Sequence, residues 1–146
     1  MPLMMFLNLP VTDLERSTAF YVGLGYTVNP QFTDESAACI VLEDGHLYLM
    51  LLSHDSYARF TSKPIVDSTT ASEAIFSLSV DDRATVDRVA ETALRSGGSF
   101  SADSHDLGFM YTRSFQDPDG HLWEITHLDL SAVPAHADES TVSGSR

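Results

Sequence analysis

The chain has 146 residues, with 8 Lys or Arg against 21 Asp or Glu, so its formal net charge is −13 at pH 7. That length fits one domain, or two small halves with a common core, and the excess of acid has the wrong sign for neutralising nucleic-acid phosphates or lying on an anionic membrane. With 43% hydrophobic residues, a single cysteine (Cys39) and no apolar run near the ~18 residues of a membrane span, it reads as a globular cytoplasmic protein with no disulfide, no thiolate-rich zinc site and no secretory leader.

Taken in chain order, a strand is predicted near 4–11, where an apolar run ends in the polar, helix-capping residues Thr12 and Asp13. A helix near 13–24 comes next, opened by Thr12-x-x-Glu15 as a capping box and stopped by Gly23 and Gly25. Strands near 26–32, 37–43 and 46–52 complete a first unit, and the polar stretch from Ser53 to Ser72 connects it to a second. A strand near 74–80 then leads into a helix near 83–96, where Val86, Val89, Ala90, Ala93 and Leu94 recur at helical spacing before Gly97 and Gly98. Strands near 99–103, 109–117 and 120–127 close the second unit. The last stretch, 131–146, is small and polar without a period and reads as a mobile tail.

The second unit repeats the first. Phe6-Leu7-Asn8-Leu9-Pro10-Val11-Thr12-Asp13 matches Ile75-Phe76-Ser77-Leu78-Ser79-Val80-Asp81-Asp82 at an offset of 69 residues (75 − 6), and Asp44-Gly45-His46-Leu47-Tyr48 matches Asp119-Gly120-His121-Leu122-Trp123 at 75 (119 − 44). The expectation is an α+β fold: a single domain, residues 1–130, of two βαβββ modules at about 4–52 and 74–128. Each sheet buries one face under its helix, and the other faces are free to line a shared ligand cavity.

The segment Asn8-Leu9-Pro10-Val11-Thr12-Asp13-Leu14-Glu15-Arg16-Ser17, followed by Phe20-Tyr21 and Leu24-Gly25-Tyr26, and the hairpin Phe115-Gln116-Asp117-Pro118-Asp119-Gly120-His121-Leu122-Trp123-Glu124 resemble the glyoxalase / bleomycin-resistance / extradiol-dioxygenase (vicinal oxygen chelate) superfamily, over residues 4–128. Within it the chain is most similar to the group labelled predicted lactoylglutathione lyase. The resemblance implies paired curved mixed sheets around a cavity, the glyoxalase/bleomycin-resistance/dihydroxybiphenyl-dioxygenase fold, and a homodimer. It also implies, in metal-binding members, four ligand positions, which fall here on Phe6, Leu49, Ile75 and Glu124, or on Leu51 in place of Leu49 if the strand slips by two. Only Glu124 of these can ligate, and a divalent ion wants several donors. No metal or other cofactor is therefore expected.

Glu124 is the candidate catalytic residue. Asn8 and Ser77, at matching repeat positions, are candidate ligand-binding residues on the cavity wall, with Tyr48, Phe109 and Tyr111 as core or lining aromatics and Arg113 as a partner of Glu124 or a clamp for a ligand carboxylate. His54, Asp55 and His105 are the remaining groups from which a displaced metal site could be built; His46 and His121 repeat each other after the turn glycine and read as structural, and Cys39 reads as a small buried hydrophobe. The leading expectation is metal-independent binding of a small molecule. The alternative is a lactoylglutathione-lyase-like isomerase or lyase with Glu124 as base; a ring-cleaving dioxygenase needs two histidines where Phe6 and Ile75 stand.

Overall fold

The computed structural model describes residues 2–133; most of the tail expected at 131–146 lies outside the described residues. The first module runs β1 (Met5–Val11), α1 (Leu14–Gly23), β2 (Thr27–Asn29), β3 (Ala37–Glu43) and β4 (Leu47–Ser53), followed by a single-turn α2 (His54–Tyr57). The second runs β5 (Ile75–Ser79), α3 (Arg83–Arg95), β6 (His105–Asp106), β7 (Met110–Gln116) and β8 (Leu122–Leu128). The sheets have the same topology, β1-β4-β3-β2 and β5-β8-β7-β6, each with its first strand parallel to its last and at an edge.

Local chemistry explains where these elements differ from expectation. The cap of α1 is Asp13, whose carboxylate accepts the Arg16 N–H, and not a Thr12–Glu15 box, because the Thr12 hydroxyl is drawn to Asp119 instead. Asp82 caps α3 in the same way through Thr85 N–H. β2 stops at Asn29, since Pro30 lacks an N–H and begins a 3₁₀ turn capped by the Asn29 side chain. The strand expected at 99–103 is reduced to one bridge between Ser99 and Gln116, and pairing resumes only at His105. Between them the Ser114 hydroxyl accepts from Ala102 N and donates to Ala102 O, replacing the ladder bonds there.

The helix-covered faces of both sheets share one core. Leu9, Val11, Ile40, Leu49 and Leu51 of the first module and Val86, Val89, Phe115, Trp123 and Ile125 of the second belong to it, with Phe20 and Tyr21 of α1 reaching across. The Phe20 ring lies 6.0 Å from Phe115, and Tyr21 5.8 Å from Trp123. The helix-free faces are thus turned away from the core.

Candidate functional site

Strand alternation assigns each candidate to a face. With Leu7, Leu9, Leu49 and Leu51 packed in or against the core, the intervening Phe6, Asn8, Tyr48 and Met50 lie on the helix-free face of the first sheet. With Phe76, Leu78, Trp123 and Ile125 likewise in or against the core, Ile75, Ser77, Leu122 and Glu124 lie on that of the second. Phe6 pairs with Tyr48 and Asn8 with Met50, while Ile75 pairs with Leu122 and Ser77 with Glu124. The first-module counterpart of Glu124 is therefore Met50, neither Leu49 nor Leu51, both of which are fully buried. The cause is a register irregularity between Val41 and Glu43, which leaves the first β-hairpin one residue longer than the second. A one-residue slip exchanges the faces of a strand, so the like-sounding runs His46-Leu47-Tyr48 and His121-Leu122-Trp123 point their side chains oppositely.

On the second sheet Ser77 donates to Glu124 Oε1 at 2.7 Å. Ser114 is the cross-strand neighbour of Glu124, and next to them the Thr112 and Thr126 hydroxyls bond each other at 2.8 Å. On the first sheet the Phe6 and Tyr48 rings stack at 4.9 Å with 12° between planes, and the Tyr48 hydroxyl accepts the Gly45 N–H. Among the described residues the Asn8 side chain makes one long bond, 3.4 Å, to Phe6 O.

The other candidates lie elsewhere. Arg113 faces the helix side and binds Asp87 and Glu91 of α3 at 3.2 and 2.8 Å, so it is not the partner of Glu124. Tyr111 donates to the same Asp87 at 2.6 Å, with the Arg83 guanidinium over its ring, and so does not line the helix-free face. Phe109 precedes β7, its carbonyl accepting from Asp129. His54 and Asp55 sit on α2 and His105 on β6; among the described residues no three His, Cys, Asp or Glu side chains group to hold a metal. Cys39 is buried, which pushes its thiol up from the ordinary range.

Among the described residues it is the helix-covered faces, not the free ones, that meet within one chain. A pocket of about 430 Å³ lies instead between β1, the connector and the starts of β5 and β8, lined among others by Asn8, Pro10, Lys63, Val66, Phe76 and His121. Of the expected ligand-binding residues only Asn8 reaches it.

A polar junction not anticipated from the sequence joins the modules. Tyr21 donates to Asp117 Oδ2 at 2.6 Å and accepts from Trp123 Nε1 at 2.9 Å. Asp119 accepts from the Thr12 N–H and hydroxyl and from Ser17, and His121 Nε2 donates to Pro10 O at 2.9 Å. Burial pushes the Asp117 carboxyl up and, with the Asp117 charge beside it, the Tyr21 hydroxyl well up. Two acids in the turn between the buried Phe115 and Trp123 were the available signal, since buried carboxylates need partners.

Residues 4–42 match the family model described as bleomycin resistance protein-like N-terminal. No curated protein matches the chain. Among solved structures, hypothetical protein SA1046 from S. aureus is 27% identical with a TM-score of 0.70, the match covering 84% of this chain and 92% of that one. A glyoxalase-related enzyme from Fulvimarina pelagi is 22% identical (TM-score 0.71; 92% and 93% covered). A glyoxalase/bleomycin resistance protein/dioxygenase family enzyme from Burkholderia phytofirmans PsJN is 16% identical (TM-score 0.68; 84% and 96% covered).

Proposed function

For a chain that belongs by fold and by N-terminal sequence to the glyoxalase/bleomycin resistance/dioxygenase superfamily, we propose metal-independent binding of a small molecule between the helix-free face of one copy and that of a second. The observation that carries this is Glu124, a carboxylate on an open sheet face whose only hydrogen-bond donor among the described residues is Ser77. Its positional relatives Phe6, Met50 and Ile75 offer a metal one thioether and no oxygen or imidazole. The donor set does not fit a divalent ion.

The second copy is supported by the same faces. They turn outward, they expose Phe6 (51%) and Ile75 (59%), and β1 and β5 present unpaired backbone at sheet edges. Such edges invite pairing, and a two-fold pair closes the association.

The test is a thermal-shift screen of the purified chain against a small-molecule library, repeated with Glu124→Gln and accompanied by elemental analysis. We expect stabilising ligands whose affinity falls at least tenfold in the variant, with far less than one metal ion per chain. Ligands indifferent to the substitution, or one dialysis-resistant metal per chain, overturn the reading. The accessibility of the same carboxylate favours the second reading, an isomerase or lyase with Glu124 as base. Then Glu124→Gln lowers turnover far more than binding.

A further inference from the structure

We infer that the pocket between β1 and the connector is a separate binding site for a short apolar peptide with free termini, one residue of which pairs with the open backbone of Asn8 while its end charges meet Lys63 and Glu73. This site lies within one copy and does not involve Glu124, so it stands or falls apart from the reading above.

The edge of β1 is the first observation. In the parallel β1–β4 ladder the Met5 N–H bonds His46 O. A residue of a parallel strand that bonds its neighbour does so with both backbone groups, and the next residue turns both away. Residues 5, 7, 9 and 11 therefore face β4, and Phe6, Asn8 and Pro10 direct their backbone to the free edge. Two side chains agree with this phase: His121 Nε2 donates to Pro10 O, and the Asn8 amide reaches Phe6 O. Pro10 has no N–H, and in this phase none is missed by the ladder. Between these two carbonyls the Asn8 N–H and C=O are left open, a donor and an acceptor on one strand residue. A peptide residue set opposite in the antiparallel sense exchanges both bonds with it, which is strand addition confined to a single pair.

The pocket supplies what one pair of bonds lacks. Its volume of about 430 Å³ is in the ~300–1,000 Å³ range of small-ligand sites and takes a few residues, not a whole strand. Leu7, Leu9, Val66, Phe76 and Leu122 give it an apolar wall, and covering that wall removes apolar area from water.

The charges select the ends of the ligand. Among the lining residues Lys63 is the only Lys or Arg and Glu73 the only acid, and both belong to the connector. Lys63 is also the only lysine in a chain of net charge −13. Among the described residues neither is in an ion pair, with the other or with any third group. A simple anion would meet Lys63 but also Glu73, and a simple cation the reverse. A molecule with a carboxylate at one end and an ammonium at the other satisfies both with charge-assisted bonds. Both termini must then be free, so an internal segment of a protein does not qualify.

The experiment is a calorimetric titration of the full chain with the tripeptide Ala-Leu-Ala, which offers an apolar residue to Asn8 and a charge at either end. Beside it run the same tripeptide with acetylated and amidated ends, the tripeptide N-methylated at its leucine, and isocaproate, an apolar acid without an amide. Lys63→Gln and Glu73→Gln each remove one charge from an exposed residue, and an unchanged melting temperature verifies the fold. Glu35→Gln, at an exposed bend, controls for unspecific charge effects. We expect one tripeptide bound per chain, at least tenfold weaker binding of the three comparison compounds, and at least tenfold losses with Lys63→Gln and with Glu73→Gln but not with Glu35→Gln. Equal binding of the N-methylated peptide overturns the pairing with Asn8. Equal binding of the blocked peptide, or indifference to both connector substitutions, overturns the role of the charges. Isocaproate binding as tightly as the tripeptide overturns the peptide in favour of an apolar acid. Affinity that falls as the chain concentration is raised shows that a second copy fills the pocket and overturns the proposal, as does absence of tripeptide binding.

Discussion

The Tyr21 hydroxyl satisfies two buried groups at once, the Asp117 carboxylate and the Trp123 indole N–H. Tyr21→Phe leaves both without this partner while keeping the ring in the core. Leaving a buried donor or acceptor unsatisfied costs about 1–3 kcal/mol, so a loss of roughly 2–4 kcal/mol is expected, read as a lower urea midpoint at unchanged slope. The open-face residues behave differently. Ser77→Ala removes the only donor to Glu124 among the described residues but leaves nothing buried unsatisfied. Its expected cost in stability is under about 0.5 kcal/mol, while affinity for any ligand bound through Glu124 shifts measurably in the same preparation. Glu124 was singled out by the family resemblance, with the internal repeat and period-two alternation supporting its placement, and Ser77 by the repeat and the alternation. The places of Arg113 and Tyr111 were not legible, because the pattern Met110-Tyr111-Thr112-Arg113 alternates equally well in either phase. What fixes the phase is Asp87 and Glu91 on a helix more than twenty residues away.

At the scale of elements, the two long helices α1 and α3 and the long strands were legible, since each carries its own period and its own stop, whereas the single turn α2 fell in the stretch read as connector. The short edge strand of the second module was not, because a side chain from a neighbouring strand, Ser114, takes over the backbone of residue 102. That edge is anchored to α3 by Arg83, which makes two hydrogen bonds to Asp106, at 2.9 and 2.7 Å. These bonds hold the Asp106 carboxyl at about 2, below its ordinary 3.8. A depressed carboxyl stabilises the fold above its unfolded value and loses that contribution as pH falls toward its folded value. Asp106→Asn should therefore be less stable than the parent at neutral pH, and the gap should close between pH 4 and pH 2; the exposure of both side chains keeps it small. Thermal melts across that range check it. The turn of the β7–β8 hairpin is more demanding. Gly120 has φ +92°, and a Cβ there would lie 2.5 Å from the Ser68 carbonyl oxygen of the connector. Gly120→Ala is expected to cost more than about 2 kcal/mol, because both the left-handed backbone and the close approach oppose it.

For the whole molecule, one core shared by α1 and α3 means that the modules unfold together. A single denaturant transition, coincident by Trp123 fluorescence and by circular dichroism, is the expected result. Among the described residues no helix is long and apolar enough to cross a membrane. If two copies associate through the free faces, sedimentation should give twice the mass of one chain. Replacing Phe6 and Ile75 together by Asp should restore the single-chain mass by adding charge to the surface that must be desolvated. A single-chain mass for the parent across a wide concentration range sets the paired arrangement aside. The separation of the two free faces by the shared core was not legible from the repeat, which records that the modules are alike but not how they are docked. Docking is decided by Asp117, Asp119 and His121 meeting Tyr21, Thr12 and Pro10.

The extra residue of the β3–β4 hairpin acts as a parity bit for the first module. Loss of a single codon in that turn would invert the seven side chains of β4 together, carrying Leu49 and Leu51 out to water and Tyr48 and Met50 into the core. No series of point substitutions produces that change, and selection against exposed leucines would oppose it at once. Anyone grafting a four-donor metal centre between the free faces of two paired copies must therefore place donors at Phe6 and Met50 of one and Ile75 of the other to join Glu124 there. A histidine engineered at Leu49, where sequence alignment alone would put it, would arrive in the oil of the interior.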